Sequence, residues 1–350
     1  MEELARELGL SGIGDIVKLA SNENALGPSP KAMKAMNGAV SDMHLYPDGS
    51  GHYLTEALAR KCGVDPGQVV IGNGSNELIE LLGHVFLGPD SSIVMSDGAF
   101  LIYRLIAMAF QAETRTAPMV RYTHDLDAMR EAIREDTRMV FIANPNNPTG
   151  TMVDAAAIDG FMERVPDHPL VVFDEAYIEL LPEDRQPDTL RYVREGRKVC
   201  VLRTFSKTYG LAGLRIGYGI MPSELAALLH RVRQPFNVNA MAQVAARAAL
   251  EDDEHVADTQ RMTRDGLRRL SRAFEERRLD YVPSVANFIL VCVGKGRDMF
   301  ARLQKRRVIV RPMDAYGFPD HVRVTVGTPD ENDRFIEALD EALAERTEAS

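Results

Sequence analysis

Cysteine is scarce in this chain. Three occur among 350 residues, at positions 62, 200 and 292. They are odd in number and far apart, which excludes a disulfide framework and fits a reducing compartment. None has the spacing of a metal ligand, and the eight histidines include no i, i+4 pair, so no metal site is indicated. No apolar run approaches the ~20 residues of a membrane-spanning helix, so no membrane partner is expected. Positive charge is also short. The formal net charge is −10, and no basic stripe exists to neutralise phosphates, which argues against a nucleic-acid partner. The most basic stretch, 261–278, interleaves acids and leucines at helical spacing and reads as a solvated helix face. The first residues, Met-Glu-Glu-Leu-Ala-Arg, are a charged amphipathic start rather than a signal peptide, so the expected location is cytoplasmic.

What is present suits a soluble globular protein. The composition, 45% hydrophobic and 26% charged, is ordinary for a globular protein. A chain of this length buries a substantial core and is expected to form one large and one smaller domain. Short helices are expected at 2–10, 30–40 and 51–62, with a Pro-Asp-Gly turn at 47–49 between the last two. From residue 69 apolar strands alternate with helical stretches. The strands are 69–71, 92–95, 139–142, 170–173 and 199–202; the helices are 77–86, 102–110, 125–134 and 155–164. That alternation defines an α/β fold with a mostly parallel sheet and helices on both faces. After residue 220 long helical patterns at 223–233, 240–250 and 254–278 lead to short strands at 287–293, 308–311 and 322–325 and a last helix at 331–344. This is an α+β layout. The expected division is an N-terminal arm 1–27, a large domain 28–232 and a smaller C-terminal domain 233–350.

The chain is organised around 204–218, Thr-Phe-Ser-Lys-Thr-Tyr-Gly-Leu-Ala-Gly-Leu-Arg-Ile-Gly-Tyr. It begins where a buried strand ends, at the rim where open α/β sheets bind ligands. Lys207 has small and apolar neighbours and no nearby carboxylate. Partial desolvation favours its neutral amine, a nucleophile able to form a Schiff base with an aldehyde. Ser206 and Arg215 pair a hydroxyl with a planar cation, which suits a phosphate. The same residues also fit a plain surface lysine before a Gly-rich loop, so the other rims must decide.

Three other strand ends carry polar loops. Gly72-Asn-Gly-Ser-Asn-Glu77 opens a helix whose free N–H groups suit an anion, with Asn76 as an added donor; a simple turn capped by Ser75 is the alternative. Asn144-Pro-Asn-Asn-Pro-Thr-Gly150 is stiff and holds an amide donor, here assigned to Asn147, unless it is only a connector. Asp174 ends the fourth strand, where a carboxylate is costly without a cation. A pyridinium nitrogen is a suitable partner, as is an arginine or a helix start. Together the phosphate cradle, amide, carboxylate and lysine fit one cofactor, pyridoxal 5′-phosphate. A nicotinamide turn would need a third glycine that the segment at 72 lacks.

These motifs, with the segments 18–24, 46–48 and 322–327, are similar to those of fold-type I, pyridoxal-phosphate-dependent aminotransferases of the aspartate-aminotransferase type. Among them the chain most resembles the histidinol-phosphate aminotransferase family. The resemblance runs over nearly the whole chain. It implies transamination of L-histidinol phosphate with 2-oxoglutarate, in histidine biosynthesis, by a homodimer. Aromatic amino-acid transamination, or a decarboxylase or lyase on the same fold, is the alternative. It further implies that Lys207 bears the covalent link and shuttles the proton, and that Asp174 pairs with the ring nitrogen. Asn147 and Tyr177 would bond the phenolic oxygen, with Phe100 stacked on the ring. Ser75, Asn76, Ser206 and Arg215 would hold the phosphate. Tyr46 would reach the cofactor of the other subunit, Arg311 and Arg323 would bind the anionic end of the substrate, and Asn22 and Glu23 would line the entrance. The stretch Asp97-Gly-Ala-Phe100 departs from the family pattern by lacking a proline before the aromatic.

Overall fold

The structure is a computed structural model describing residues 1–348. Its centre is a seven-stranded sheet. In spatial order the strands are Val69–Gly72, Gly217–Ile220, Val199–Thr204, Leu170–Asp174, Thr137–Ala143, Ser92–Ser96 and Glu113–Ala117. All run parallel except Gly217–Ile220, which is antiparallel to both neighbours. Apart from Glu113–Ala117 and Gly217–Ile220, the strands read as continuous apolar runs because both faces are covered. Alternate residues serve opposite cores. Val94, Val140, Val171 and Val201 face one cluster of packed helices, and Ile93, Met139, Val172 and Cys200 face the other.

The helices follow from local chemistry. Pro30 opens Pro30–Ala39, where its missing N–H is no loss, and Ser29 accepts the Ala32 N–H at 3.3 Å. Asp154 caps Ala155–Arg164 in the same way, accepting from the Ala157 N–H at 2.8 Å. Two expected helices are shorter than their sequence patterns: the first is Glu2–Glu7, and the stretch at 125–134 forms only Leu126–Glu131.

A second, four-stranded antiparallel sheet orders Tyr281–Val282, Phe288–Cys292, Phe318–Thr325 and Arg311–Met313. The helices Asp253–Glu276, Gly296–Lys305 and Pro329–Glu348 complete its core, which includes Leu270, Phe274, Leu303, Val324 and Phe335. The N-terminal segment joins this unit: Val17–Lys18 pairs in parallel with Val308–Ile309. The helix Ala240–Ala249 does not. Its Ala242, Ala245, Ala246 and Ala249 pack in the large-sheet core with Ala32, Leu54 and Leu58.

Two strands of the large sheet are absent from the sequence pattern. Glu113–Ala117 is an edge strand with mostly polar residues, so no apolar run marks it. Gly217–Ile220 lies in the stretch read as a loop, and its glycines weaken any strand signal. Gly217 is required there: an added Cβ would sit 2.6 Å from the Ser75 nitrogen.

Candidate active site

Because the strands are parallel, their carboxyl ends share one rim of the sheet. The segments after Gly72, Ala143, Asp174 and Thr204 therefore converge, and the N-terminal segment and the small sheet close the other side. The result is a cavity of about 340 Å³. Asn22, Glu23, Ser75, Asn76, Phe100, Asn147, Asp174, Tyr177, Ser206, Lys207, Arg215, Arg311 and Arg323 all line it. Tyr46 does not. It is 83% exposed on the outer surface and stacks on Phe236 at 4.8 Å.

Lys207 lies half-buried at the end of its strand, in contact with the cavity but enclosed by protein. Its Nζ donates to the Asn22 carbonyl at 3.0 Å and the Ser21 carbonyl at 3.2 Å. Burial, then the Arg323 charge, lowers its pKa to about 7, with Glu23 opposing. Asp174 is only 4% exposed. Both its bonding partners are neutral: the Tyr103 hydroxyl donates at 2.7 Å and the Ala176 N–H at 3.2 Å. Burial raises its pKa to about 6, against the effect of those two bonds. Tyr177 is buried, accepts from Asn22 Nδ2 at 2.9 Å, and has its pKa pushed up to about 12 by burial. Asn22 is itself fixed by Thr325, whose hydroxyl accepts its backbone N–H at 3.0 Å.

Backbone geometry shapes the anion end. Gly74, at φ 80°, ends the turn before the helix Ser75–Phe86. The first N–H groups of that helix have no intrahelical acceptor. Arg215 occupies the left-handed region at φ 55°. An added Cβ on Gly74 would come 2.8 Å from Arg215 Nη2, so glycine is what brings this guanidinium against the helix start. Ser206 stands beside them and accepts from Thr204 Oγ1 at 3.0 Å.

The opposite end is cationic. Arg311 and Arg323 are cross-strand partners in the small sheet. Arg323 is 5% exposed; its guanidinium donates to Asn147 Oδ1 and, at 2.9 Å, to the Ala20 carbonyl. Its Nε has no partner and, among the described residues, no carboxylate pairs with it. Burial lowers its pKa, as expected of a cation without a counterion.

Sequence reasoning missed Tyr103 and Tyr316, which also line the cavity. Tyr103 follows Phe100 by one helical turn, and the two rings meet edge to face at 5.7 Å. That i, i+3 aromatic spacing was the available signal. Tyr316 comes from a one-turn helix of the small sheet, and nothing local marks it.

The cavity joins a cradle of N–H groups, a hydroxyl and a guanidinium to a buried carboxylate lacking a cation and to a depressed-pKa lysine. This donor set fits pyridoxal 5′-phosphate, whose phosphate, ring nitrogen and aldehyde would meet these groups in turn. Known proteins agree. The chain matches the family described as aminotransferase class I and II over residues 14–339. The chain belongs to that family: it is an aminotransferase, and its cofactor is pyridoxal 5′-phosphate. A relative from Akkermansia muciniphila named histidinol-phosphate aminotransferase is 52% identical over 344 residues, covering 98% of this chain and 94% of the relative. One of the same name from Moorella thermoacetica is 47% identical, covering 98% and 89%. The crystal structure of histidinol-phosphate aminotransferase from Sinorhizobium meliloti, in complex with pyridoxal-5′-phosphate, superposes with a TM-score of 0.90 at 29% identity, covering 98% and 94%. Aspartate aminotransferase from Thermus thermophilus, at 22% identity and a TM-score of 0.86, shares the fold.

Proposed function

We propose that the chain transfers the amino group of L-histidinol phosphate to 2-oxoglutarate, giving imidazole-acetol phosphate and glutamate, in histidine biosynthesis. The observation that carries this reading is the buried, unpaired guanidinium of Arg323 with Arg311 opposite it. Two cations on one wall suit a phosphate in one half-reaction and a carboxylate in the other, since guanidinium pairs with each. The shared name of the relatives supplies the particular donor.

The bound cofactor supplies an electron sink for the substrate α-carbon. Lys207 would be the nucleophile that holds it and the base that moves the α-proton, a role suited to an amine whose pKa is lowered to about 7. Asp174 would meet the ring nitrogen. Tyr177 and Asn147 would bond the phenolic oxygen, and Phe100 would pack on the ring. Ser75, Asn76, Ser206 and Arg215 would hold the phosphate, and Asn22 and Glu23 would shape the entrance. Tyr46 serves the site of a second copy in a homodimer. Its exposure, beside the exposed Val40, Met43, Leu45 and Tyr53, supports a covered surface there. We place the enzyme in the cytoplasm. We divide it into an arm over 1–27, a large domain from 28 and a smaller C-terminal domain, drawing the second boundary near Asp252, beyond the helix Ala240–Ala249, rather than at 232.

An amino-donor panel with 2-oxoglutarate tests the substrate. Histidinol phosphate should exceed phenylalanine and tyrosine in kcat/KM by roughly 10²-fold, because its phosphate brings more charge and one more acceptor oxygen to Arg311 and Arg323 than their single carboxylate does. Preference for the aromatic amino acids would make the chain an aromatic aminotransferase. Carbon dioxide release with no need for an oxo acid would make it a decarboxylase.

A further inference from the structure

Tyr103 has no part in the roles above, yet it is the most enclosed polar side chain against the cavity. It has no exposed surface, and its ring stacks on Phe141 at 4.4 Å and 8°. That packing leaves its hydroxyl little freedom, and the hydroxyl donates to Asp174 Oδ2 at 2.7 Å. The longer bond from the Ala176 N–H engages the other oxygen, Oδ1.

We propose that Tyr103 is a positioning residue that acts through Asp174, holding its carboxylate ionised and oriented and so keeping the positive charge on the ring nitrogen of the bound cofactor. The proposal rests on the assignment of Asp174 to that nitrogen. A buried carboxylate drifts towards its neutral acid; donors and nearby cations oppose the drift, and for Asp174 the Tyr103 bond opposes it most, ahead of the Ala176 N–H and the Lys207 charge. The phenol is a dependable donor, because burial and the adjacent Asp174 hold its own pKa far above the ordinary value. Its proton stays on oxygen, so Asp174 remains the acceptor. With Oδ2 engaged by the phenol at 2.7 Å, the more loosely engaged Oδ1 is available to a ring N–H. Without the phenol, the carboxylate's proton affinity rises and it competes with the ring nitrogen for the proton.

The test is Tyr103→Phe, which keeps the ring and removes one oxygen. Three quantities are compared in enzyme loaded with pyridoxal 5′-phosphate: the pH midpoint of the cofactor's visible absorbance, kcat, and KM. The midpoint should rise, because a less positive ring draws less charge from the nitrogen linked to Lys207. The kcat should fall roughly tenfold with KM little changed, as when a hydrogen bond to a charge is lost. In an Asp174→Asn background the same change should add nothing, since the two act as one unit. An unmoved midpoint overturns the proposal, including when only the melting temperature drops. If Tyr103→Phe fails to fold, Phe141→Leu, which frees the ring but keeps the hydroxyl, must raise the midpoint, and a fixed midpoint there overturns it equally. Wild-type enzyme that develops no visible band with the cofactor would instead overturn the assignment of the site.

Discussion

Two guanidiniums sit deep in this molecule and meet opposite fates. Arg203, its side chain 15% exposed, is clamped by Glu175, with Nε at 2.9 Å and Nη2 at 2.8 Å from Glu175 Oε2. Arg323 is more buried still and, among the described residues, donates only to an amide and a carbonyl. The carboxylates mirror them. Asp174 and Glu175 are adjacent in the chain, but Glu175 closes an ion pair behind the sheet while Asp174 faces the cavity with neutral partners. A buried charge neutralised inside the chain serves the fold. One left uncompensated carries a desolvation cost, and where such a group lines the cavity a ligand can relieve it. By that criterion Arg323, Asp174 and Lys207, which line the cavity, are candidate ligand groups, and Arg203 and Glu175 support the fold.

The sharpest break of this comparison is the pair Arg203→Leu and Arg323→Leu. Arg203→Leu strands a buried carboxylate and should destabilise the chain by about 3–5 kcal/mol. Turnover per folded molecule should be retained. Arg323→Leu should do the reverse, leaving the melting temperature of the cofactor-free protein unchanged or higher while kcat/KM falls roughly 10²-fold. Denaturant unfolding and steady-state kinetics on both variants check it. Equal destabilisation by the two would erase the distinction.

Asp174→Asn sharpens it next. The Asp174 pKa is raised by folding to about 6. Between the unfolded value near 4 and that value, the folded chain binds more protons than the unfolded one. Stability from this group is therefore lost as pH rises through the window, and the full cost applies above about 6. Removing the charge should stabilise the cofactor-free protein at pH 7 by roughly 2–3 kcal/mol and do little at pH 4. Turnover should drop roughly 10²–10³-fold, the usual result of deleting a preorganised charge. A variant no more stable than its parent at pH 7 would show that Asp174 carries no such cost.

The smallest effect is a titration. In the cofactor-free protein the Lys207 amine should acquire reactivity towards an acylating reagent with a midpoint at about 7, rising with pH as the neutral amine forms. Peptide mapping across pH reads it, and a midpoint near that of free lysine would place the amine in water.

Much of this was legible beforehand. The parallel core announced itself as apolar runs separated by helical periods, and Lys207, Asp174, Asn147 and the Gly72–Glu77 turn each followed such a run. Strand Gly217–Ile220 was not legible, because glycine carries no packing signal. Nor was the affiliation of Ala240–Ala249, whose alanines suit either unit. Tyr316 belongs to a segment that reaches the cavity only through the placement of the small sheet.

Local chemistry, then, determined which residues stood at strand ends and which of them could bear a nucleophile, an amide donor or a carboxylate. It could not determine which charges would find partners. Asp174 and Glu175 are alike in sequence. Alternation at the strand end sends one towards Arg203 and the other towards the cavity. Arg203 and Arg323 differ only in what lies across from them. Pairing depends on distances between segments remote in the chain, so tertiary structure alone separated the charges that hold the fold from those that await a ligand.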